Sequence, residues 1–183
     1  MGVSGPAESP DEAHRRAVQS VFERHARDVW RSLHFLGVPE RDLPDVSQEV
    51  FMTVHRRLPS FEGRASLSSW LYGICLRTVA MYRRKAFRRH ERPHAEVPAD
   101  EPVQATPEDA MHTSQRLARL RRAIDELDEG QRAVFVLYEI ESLPMPQIAA
   151  ALAIPLQTAY SRLHAARARV RARFEPEAEG GNR

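Results

Sequence analysis

The sequence predicts an all-α protein of two small helical domains joined by a flexible linker. Three observations carry that expectation. Apolar residues recur three or four apart through 11–89 and again through 110–174, as on one face of a helix. Between these stretches, 91–109 interleaves Pro93, Pro98, Pro102 and Pro107 with Glu96, Asp100, Glu101, Glu108 and Asp109, the composition of a linker rather than a packed element. Near the C-terminus the helical pattern breaks at Ala153-Ile154-Pro155 and then resumes, which reads as a helix-turn-helix.

Residues 1–10 show no basic-then-apolar signal pattern and read as a disordered tail. Pro6 stands where a myristoylation motif would want Ser or Thr. A first domain over 11–90 begins with a helix from about Asp11 to Leu36. Its expected inner side is Ala17, Val21, Phe22, Val29 and Leu33, and Gly37-Val38-Pro39 ends it. A second helix spans about Leu43 to Leu58. A connection holding Phe61 and Gly63 leads to a third, from about Ser66 to Arg89. The linker 91–109, fully extended, could reach roughly 60 Å at about 3.3 Å per residue. That exceeds one turn of duplex DNA, roughly 34 Å.

The second domain, 110–174, opens with a helix marked by Leu117, Leu120, Ile124 and Leu127. Asp128-Glu129-Gly130 punctuates it, and Val134, Leu137 and Tyr138 mark the next. Leu143, Ile148, Ala149 and Leu152 then fall at helical spacing, and after Pro155 the apolar positions are Ala159, Leu163, Ala166 and Val170. Residues 175–183 are acidic and Gly-rich, a second disordered tail.

Composition narrows the function. Apolar residues make up 42% of 183, enough for a core, while the mean hydropathy is −0.51. No run approaches the ~20 apolar residues that span a bilayer, so no membrane insertion and a cytoplasmic location are expected. Cys75 is the sole cysteine, which excludes an internal disulfide and a Cys-cluster zinc site. Its neighbours Leu71, Ile74 and Leu76 suggest a buried apolar role. His90 and His94 are four apart, but Pro93 forbids a regular helix through them, so no metal pair is expected. Phosphate-binding glycine loops and nucleophile elbows are missing. No enzymatic activity and no cofactor are expected.

Net charge is +2, yet the positive residues, all arginine except Lys85, concentrate in 77–92 and 162–173. Two separated basic blocks favour two contacts along one polyanion. In the last helix Thr158, Tyr160, Ser161, Arg162, His164 and Arg167 interleave with the apolar positions, with Arg169, Arg171 and Arg173 beyond. A helix of this width fits the major groove, where hydroxyl, imidazole and guanidinium groups reach base edges and later arginines meet phosphate. In the third helix Trp70 and Tyr72 precede Arg77, Arg83, Arg84 and Lys85. Rings that stack on exposed bases beside guanidinium groups that hold phosphate suit single-stranded nucleic acid. Trp70 also reads as core beside Leu67, Leu71 and Ile74, with the loop 61–69 receiving a base. On the second helix, Leu43, Val46, Val50, Val54 and Leu58 share one side. Asp45, Gln48, Glu49 and Met52 gather nearly opposite, where a flexible apolar side chain among carboxylates suits a basic protein partner.

These segments together resemble the sigma-70 family, specifically the small two-domain sigma factors of the extracytoplasmic-function (ECF) group. Asp42-Leu43-Pro44-Asp45-Val46-Ser47-Gln48-Glu49-Val50-Phe51 is similar to their region 2 helix that docks on RNA polymerase. Ser69-Trp70-Leu71-Tyr72-Gly73-Ile74 is similar to their promoter-melting segment. Ala123-Ile124-Asp125-Glu126-Leu127 followed by Gln131-Arg132-Ala133-Val134-Phe135 resembles the start of region 4. Ile148-Ala149 through Thr158, then Ser161-Arg162-Leu163-His164-Ala165-Ala166-Arg167, resembles its helix-turn-helix. The match covers about 15–174.

The resemblance implies a specificity subunit of bacterial RNA polymerase, with the β′ clamp helices and β flap, promoter DNA and an anti-sigma factor as partners. It implies that Asp45, Gln48, Glu49 and Met52 contact polymerase. Phe61, Arg64, Ser68, Trp70, Tyr72, Arg77 and Arg84 would hold the melted −10 strand. Thr158, Tyr160, Ser161, Arg162, His164 and Arg167 would meet the −35 element. The chain departs from the family pattern at Arg77, often Asn, at Tyr160, often Lys or Arg, at Ala165, often Arg, and at Ala153, usually Gly. A self-sufficient helix-turn-helix regulator is the alternative. It predicts tight binding to a palindromic operator by the chain alone, and a basic RNA-binding module would instead bind structured RNA.

Overall fold

The computed structural model of the chain describes residues 9–63, 65–90 and 108–174. Helix α1 (Pro10–Phe35) starts one residue earlier than periodicity alone suggests, because Ser9 caps it. Its Oγ accepts from the Glu12 amide at 3.3 Å while Glu12 accepts from the Ser9 amide at 2.9 Å, a reciprocal box with Pro10 at the first helical position. At the far end Gly37 takes φ +97°, and the Val38 amide returns to the Leu33 carbonyl at 3.1 Å.

A 3₁₀ turn, Glu40–Asp42, leads into α2 (Leu43–Arg57), and a second turn, Leu58–Ser60, leaves it. Helix α3 is Leu67–His90. These three helices pack on one another around Val29, Leu33, Val50, Val54, Leu71, Ile74 and Cys75, all essentially inaccessible to water. Two expected inner positions of α1 lie elsewhere. Ala17 is exposed and Phe22 is half exposed, its ring edge-on to Phe51 with centroids 4.8 Å apart. The first half of α1 lies along α2, His14 edge-on to His55 with centroids 4.6 Å apart, yet Val21 is the one residue buried there.

Helix α4 (Glu108–Asp125) begins inside the stretch 91–109 that composition assigns to a linker. Helical geometry tolerates Glu108 and Asp109 at an N-terminus, where the helix dipole favours acids. The rest of that stretch, 1–8 and 175–183 fall outside the described residues, whereas Ser9 and Pro10, assigned by sequence to the N-terminal tail, cap and open α1. Asp128 caps α5 (Glu129–Phe135), accepting from the Gln131 amide at 2.9 Å, and a π-helical turn, Val136–Ile140, extends it. Leu143 is buried but precedes α6 (Met145–Leu152) rather than belonging to it.

Helix α6 ends on Ala153 in the left-handed region, φ 52°, and the Ile154 amide closes the cap on the Ala149 carbonyl at 3.0 Å. Pro155 then starts α7 (Leu156–Ala172). Ala159, Leu163, Ala166 and Val170 are buried, as their spacing predicts, against α5 and α6. All described elements are helical. None of these helices is long and apolar enough to cross a membrane. The N-terminal helices also touch the C-terminal ones, with α3 lying against α6 and α1 against α4 and the π turn.

Candidate nucleic-acid interface

Three faces carry the residues singled out by sequence. On α3, Trp70, Gly73, Arg77 and Arg84 share a side because they lie three, four and seven apart. Phe61 stands beside Trp70 with ring centroids 5.1 Å apart, so the loop and the helix do meet. Trp70 is half-buried and packs on the core while keeping one ring face toward the loop. Ser68 is half-buried, and Arg64 lies outside the described residues.

Arg77 is exposed and folds back over Gly73, whose missing side chain leaves room for the guanidinium. Among the described residues no carboxylate pairs with it. Partial burial and the nearby Arg57 both press against its positive charge, so a phosphate would relieve an existing electrostatic cost. Arg84 is exposed on the same face.

Tyr72 departs from the expectation. It is buried, 4% exposed, on the flank of α3 beyond Ser69, and its hydroxyl donates to Glu141 Oε2 at 2.6 Å. Burial and the adjacent carboxylate push its ionisation far above the ordinary phenol range. A ring committed in this way cannot stack on a base while the contact lasts.

On α2, Val46, Val50 and Val54 point inward, which turns Asp45, Gln48 and Met52 to solvent. Met52 is 52% exposed and lines a shallow apolar hollow with Val18, Gln48, Phe51, His55 and Arg56. Glu49, at the edge of this face, receives Lys85 Nζ at 3.2 Å. The expected grouping of the four residues is therefore present.

On α7 the buried positions leave Tyr160, Ser161 and His164 exposed in one row, and Thr158 half-buried beside them. The Ser161 hydroxyl bonds the Gln157 carbonyl at 2.9 Å and is otherwise free to turn. Arg162 and Arg167 lie on the flanks. Arg162 packs over Gly130, its guanidinium carbon 2.9 Å from where a side chain there would begin. Arg167 Nε meets Glu139 Oε1 at 2.6 Å and sits 5.3 Å over the Tyr138 ring. Arg169 and Arg173 are likewise near acids, Asp128 at 3.7 Å and Glu126 at 2.6 Å. Exposed pairs of this kind are worth about 0–1 kcal/mol, so phosphate can replace the acid.

Sequence reading missed Glu141, Gln147, Arg31 and Ser32. Glu141 accepts from Arg31 Nη2 at 2.7 Å, Ser32 Oγ at 2.7 Å and Tyr72, with its side chain 1% exposed. Gln147 Oε1 accepts from Ser66 at 3.3 Å and from Ser69. The one hint in the sequence is a pair of acids, Glu139 and Glu141, closing the apolar run that begins at Ala133. Among the described residues no group of three or more His, Cys, Asp or Glu is arranged to hold a metal.

Comparison with known proteins identifies the family and the fold. Residues 21–89 match the family description Sigma-70 region 2, and 117–170 match Sigma-70, region 4. The chain is 32% identical over 165 residues to the ECF RNA polymerase sigma factor SigE of Mycolicibacterium smegmatis, covering 88% of this chain. It spans 63% of the length of that relative. It is also 32% identical over 149 residues to the ECF RNA polymerase sigma-E factor of Escherichia coli strain K12, covering 76% of this chain and 77% of the relative. Among solved structures, the sigma factor RpoE in complex with the anti-sigma factor NepR from Bartonella quintana matches at a TM-score of 0.73 and 20% identity. That match covers 88% of this chain and 99% of the other. CnrH in complex with the cytosolic domain of CnrY matches at 0.64 and 24% identity, over 90% and 91%. At these identities the structural likenesses show a shared fold.

Proposed function

From the premise that the chain belongs to the ECF sigma factors of the sigma-70 family, we propose that it directs core RNA polymerase to specific promoters and favours opening of the −10 strand. Polymerase supplies the catalysis; this chain supplies the address. Residues 11–90 act as one domain and 110–174 as a second, tethered through 91–109. In the cytoplasm, Asp45, Gln48, Glu49 and Met52 on α2 engage the β′ clamp helices. The C-terminal domain meets the β flap.

The −35 duplex is read by Tyr160, Ser161 and His164, with Thr158, Arg162 and Arg167 on the flanks. The −10 strand runs along Phe61, Ser68, Trp70, Arg77 and Arg84, with Arg64 in the loop. A ring pair beside cationic side chains stacks unpaired bases and neutralises their phosphates. Held on one polymerase, two weak DNA contacts reinforce each other through effective concentration. Since a similar fold, the sigma factor RpoE, is bound to the anti-sigma factor NepR, an anti-sigma protein is a proposed partner of this chain too.

The observation that carries this reading is the pairing of two different nucleic-acid faces with one acidic, methionine-bearing face in a single chain. A self-sufficient regulator has no use for the third. In vitro transcription with added core polymerase on a promoter library tests it. The expected result is promoter-selective transcript only when chain and core are both present. Tight operator binding by the chain alone, with no effect on core polymerase, would overturn it.

A further inference from the structure

Glu141 sits immediately before a strained residue and after an unusual turn. Ser142 takes φ 54°, in the left-handed region, and Val136–Ile140 is π-helical. Left-handed non-glycine residues and π turns both cost local stability and persist where the surroundings require them. Together they deliver the Glu141 carboxylate out of the C-terminal helices and into the N-terminal ones.

There it is almost wholly removed from water, with a side chain 1% exposed, and every hydrogen-bond donor to it belongs to α1 or α3. A buried carboxylate is tolerable only when its oxygens are satisfied. Arg31, Ser32 and Tyr72 satisfy them only while the two groups of helices remain together. Two further contacts span the same boundary. Gln147 on α6 binds Ser66 and Ser69 at the start of α3, and Arg83 on α3 meets Glu129 at 3.2 Å.

These contacts cover the face assigned above to the −10 strand. Ser69, Trp70, Gly73 and Arg77 share a groove of about 490 Å³ with Pro146, Gln147, Ala150 and Ala151 of α6. The path along α3 is thus walled by the first helix of the helix-turn-helix. The promoter elements impose a second conflict. The names −10 and −35 mark sites about 25 base pairs apart, roughly 85 Å at 3.4 Å per base pair. Helices α3 and α6, in side-chain contact, cannot serve both sites at once.

We propose that the chain carries its own inhibitory latch. Glu141, gripped by Arg31, Ser32 and Tyr72, holds the helix-turn-helix across the −10 face in the free protein, and productive docking requires its release. The proposal rests on the reading of α3 as the −10 face. Release frees Tyr72 for base contact, so the same hydroxyl acts as catch in one state and the ring as platform in the other.

The test uses the full chain without polymerase, carrying spin labels at Ser60→Cys and Arg171→Cys on opposite sides of the boundary, with Cys75 buried and unlabelled. Electron–electron distance measurement on the otherwise unaltered chain is expected to give one narrow, short distribution. Glu141→Gln is expected to raise the long-distance population at least 5-fold while circular dichroism stays native. If Glu141→Gln fails to fold, Tyr72→Phe, which removes a single hydroxyl, is read the same way. A broad distribution in the unaltered chain overturns the latch. So does a distribution left narrow by the variant that folds.

The inhibitory role has a separate readout. At limiting core polymerase, Glu141→Gln without labels is expected to yield at least 3-fold more open complex than the unaltered chain. Equal or lower yield from a chain shown to be open overturns inhibition. Absence of any polymerase-dependent transcription by the unaltered chain overturns the sigma reading instead, while the distance measurement still judges the latch.

Discussion

Lys85 on α3 reaches Glu49 on α2, Nζ to Oε1 at 3.2 Å, with both side chains about half exposed. The pair ties the basic end of α3 to the edge of the face assigned to polymerase. An ion pair this exposed contributes about 0–1 kcal/mol to folding, so its importance lies in the partner it leaves available.

Glu49→Lys is therefore expected to leave the melting temperature nearly unchanged while sharply weakening capture of core polymerase. If α2 docks on polymerase as proposed, the reversed charge meets a basic partner surface. Parallel calorimetry and polymerase pull-down check it. Undiminished pull-down would count against the assignment of α2.

Tyr160 is 48% exposed on α7. Tyr160→Ala is expected to shift selectivity at one or two −35 positions by about 1–3 kcal/mol, with stability altered by no more than about 0.5 kcal/mol. Transcription from a library randomised at the −35 element, using holoenzyme, reads the first; urea denaturation reads the second.

Ala153 stands at φ 52° in the turn of the helix-turn-helix. A left-handed backbone costs an L-residue roughly 1–2 kcal/mol that glycine does not incur, partly offset by glycine's greater freedom in the unfolded chain. Ala153→Gly is expected to stabilise the chain by about 1 kcal/mol, seen as a higher urea midpoint at unchanged slope. A lower midpoint would show that the turn is not strained.

His34, half-buried on α1, is held below the ordinary histidine range, first by burial and then by Arg121 on α4. The folded chain therefore binds fewer protons than the unfolded chain between the lowered value and about 6.5. Its stabilising contribution is complete above about pH 6.5 and is lost as pH falls through that window. His34→Gln is expected to show a smaller fall in urea midpoint from pH 7.5 to 5.5 than the unaltered chain. Identical falls would remove His34 as a cause.

Cys75 is fully buried, and burial pushes its thiol up to about 12. The native chain should resist an aromatic disulfide reagent at pH 8, with labelling limited by unfolding. Prompt labelling of native protein would contradict the packing of α3.

Much of this molecule could be read along the chain. Val46, Val50 and Val54 fall on one side of α2 by spacing alone, which turns Asp45, Gln48 and Met52 outward. Pro155 and the resumed period at Ala159 locate α7 and leave Tyr160, Ser161 and His164 on its exposed side. Such features depend on residues three or four apart, whose geometry the helix itself dictates. The cap at Ser9 was equally local and recoverable from Ser9-Pro10-Asp11-Glu12, whereas Phe22 misled because an apolar residue beside a buried one need not be buried.

Tyr72 shows where local reading stops. Its sequence context marks an aromatic beside a basic helix, and that context cannot express that Glu141, 69 positions later, accepts its hydroxyl. Arg31 and Glu141 are separated by 110 positions, and Ser69 and Gln147 by 78. By itself the sequence determined which helices form and which side of each is apolar, because hydrogen bonding and side-chain spacing repeat within a few residues. Only the tertiary structure decided which polar groups meet across the boundary between the two sets of helices. That choice depends on how assembled faces fit, and it is made by desolvated contacts for which no short stretch of chain carries a pattern.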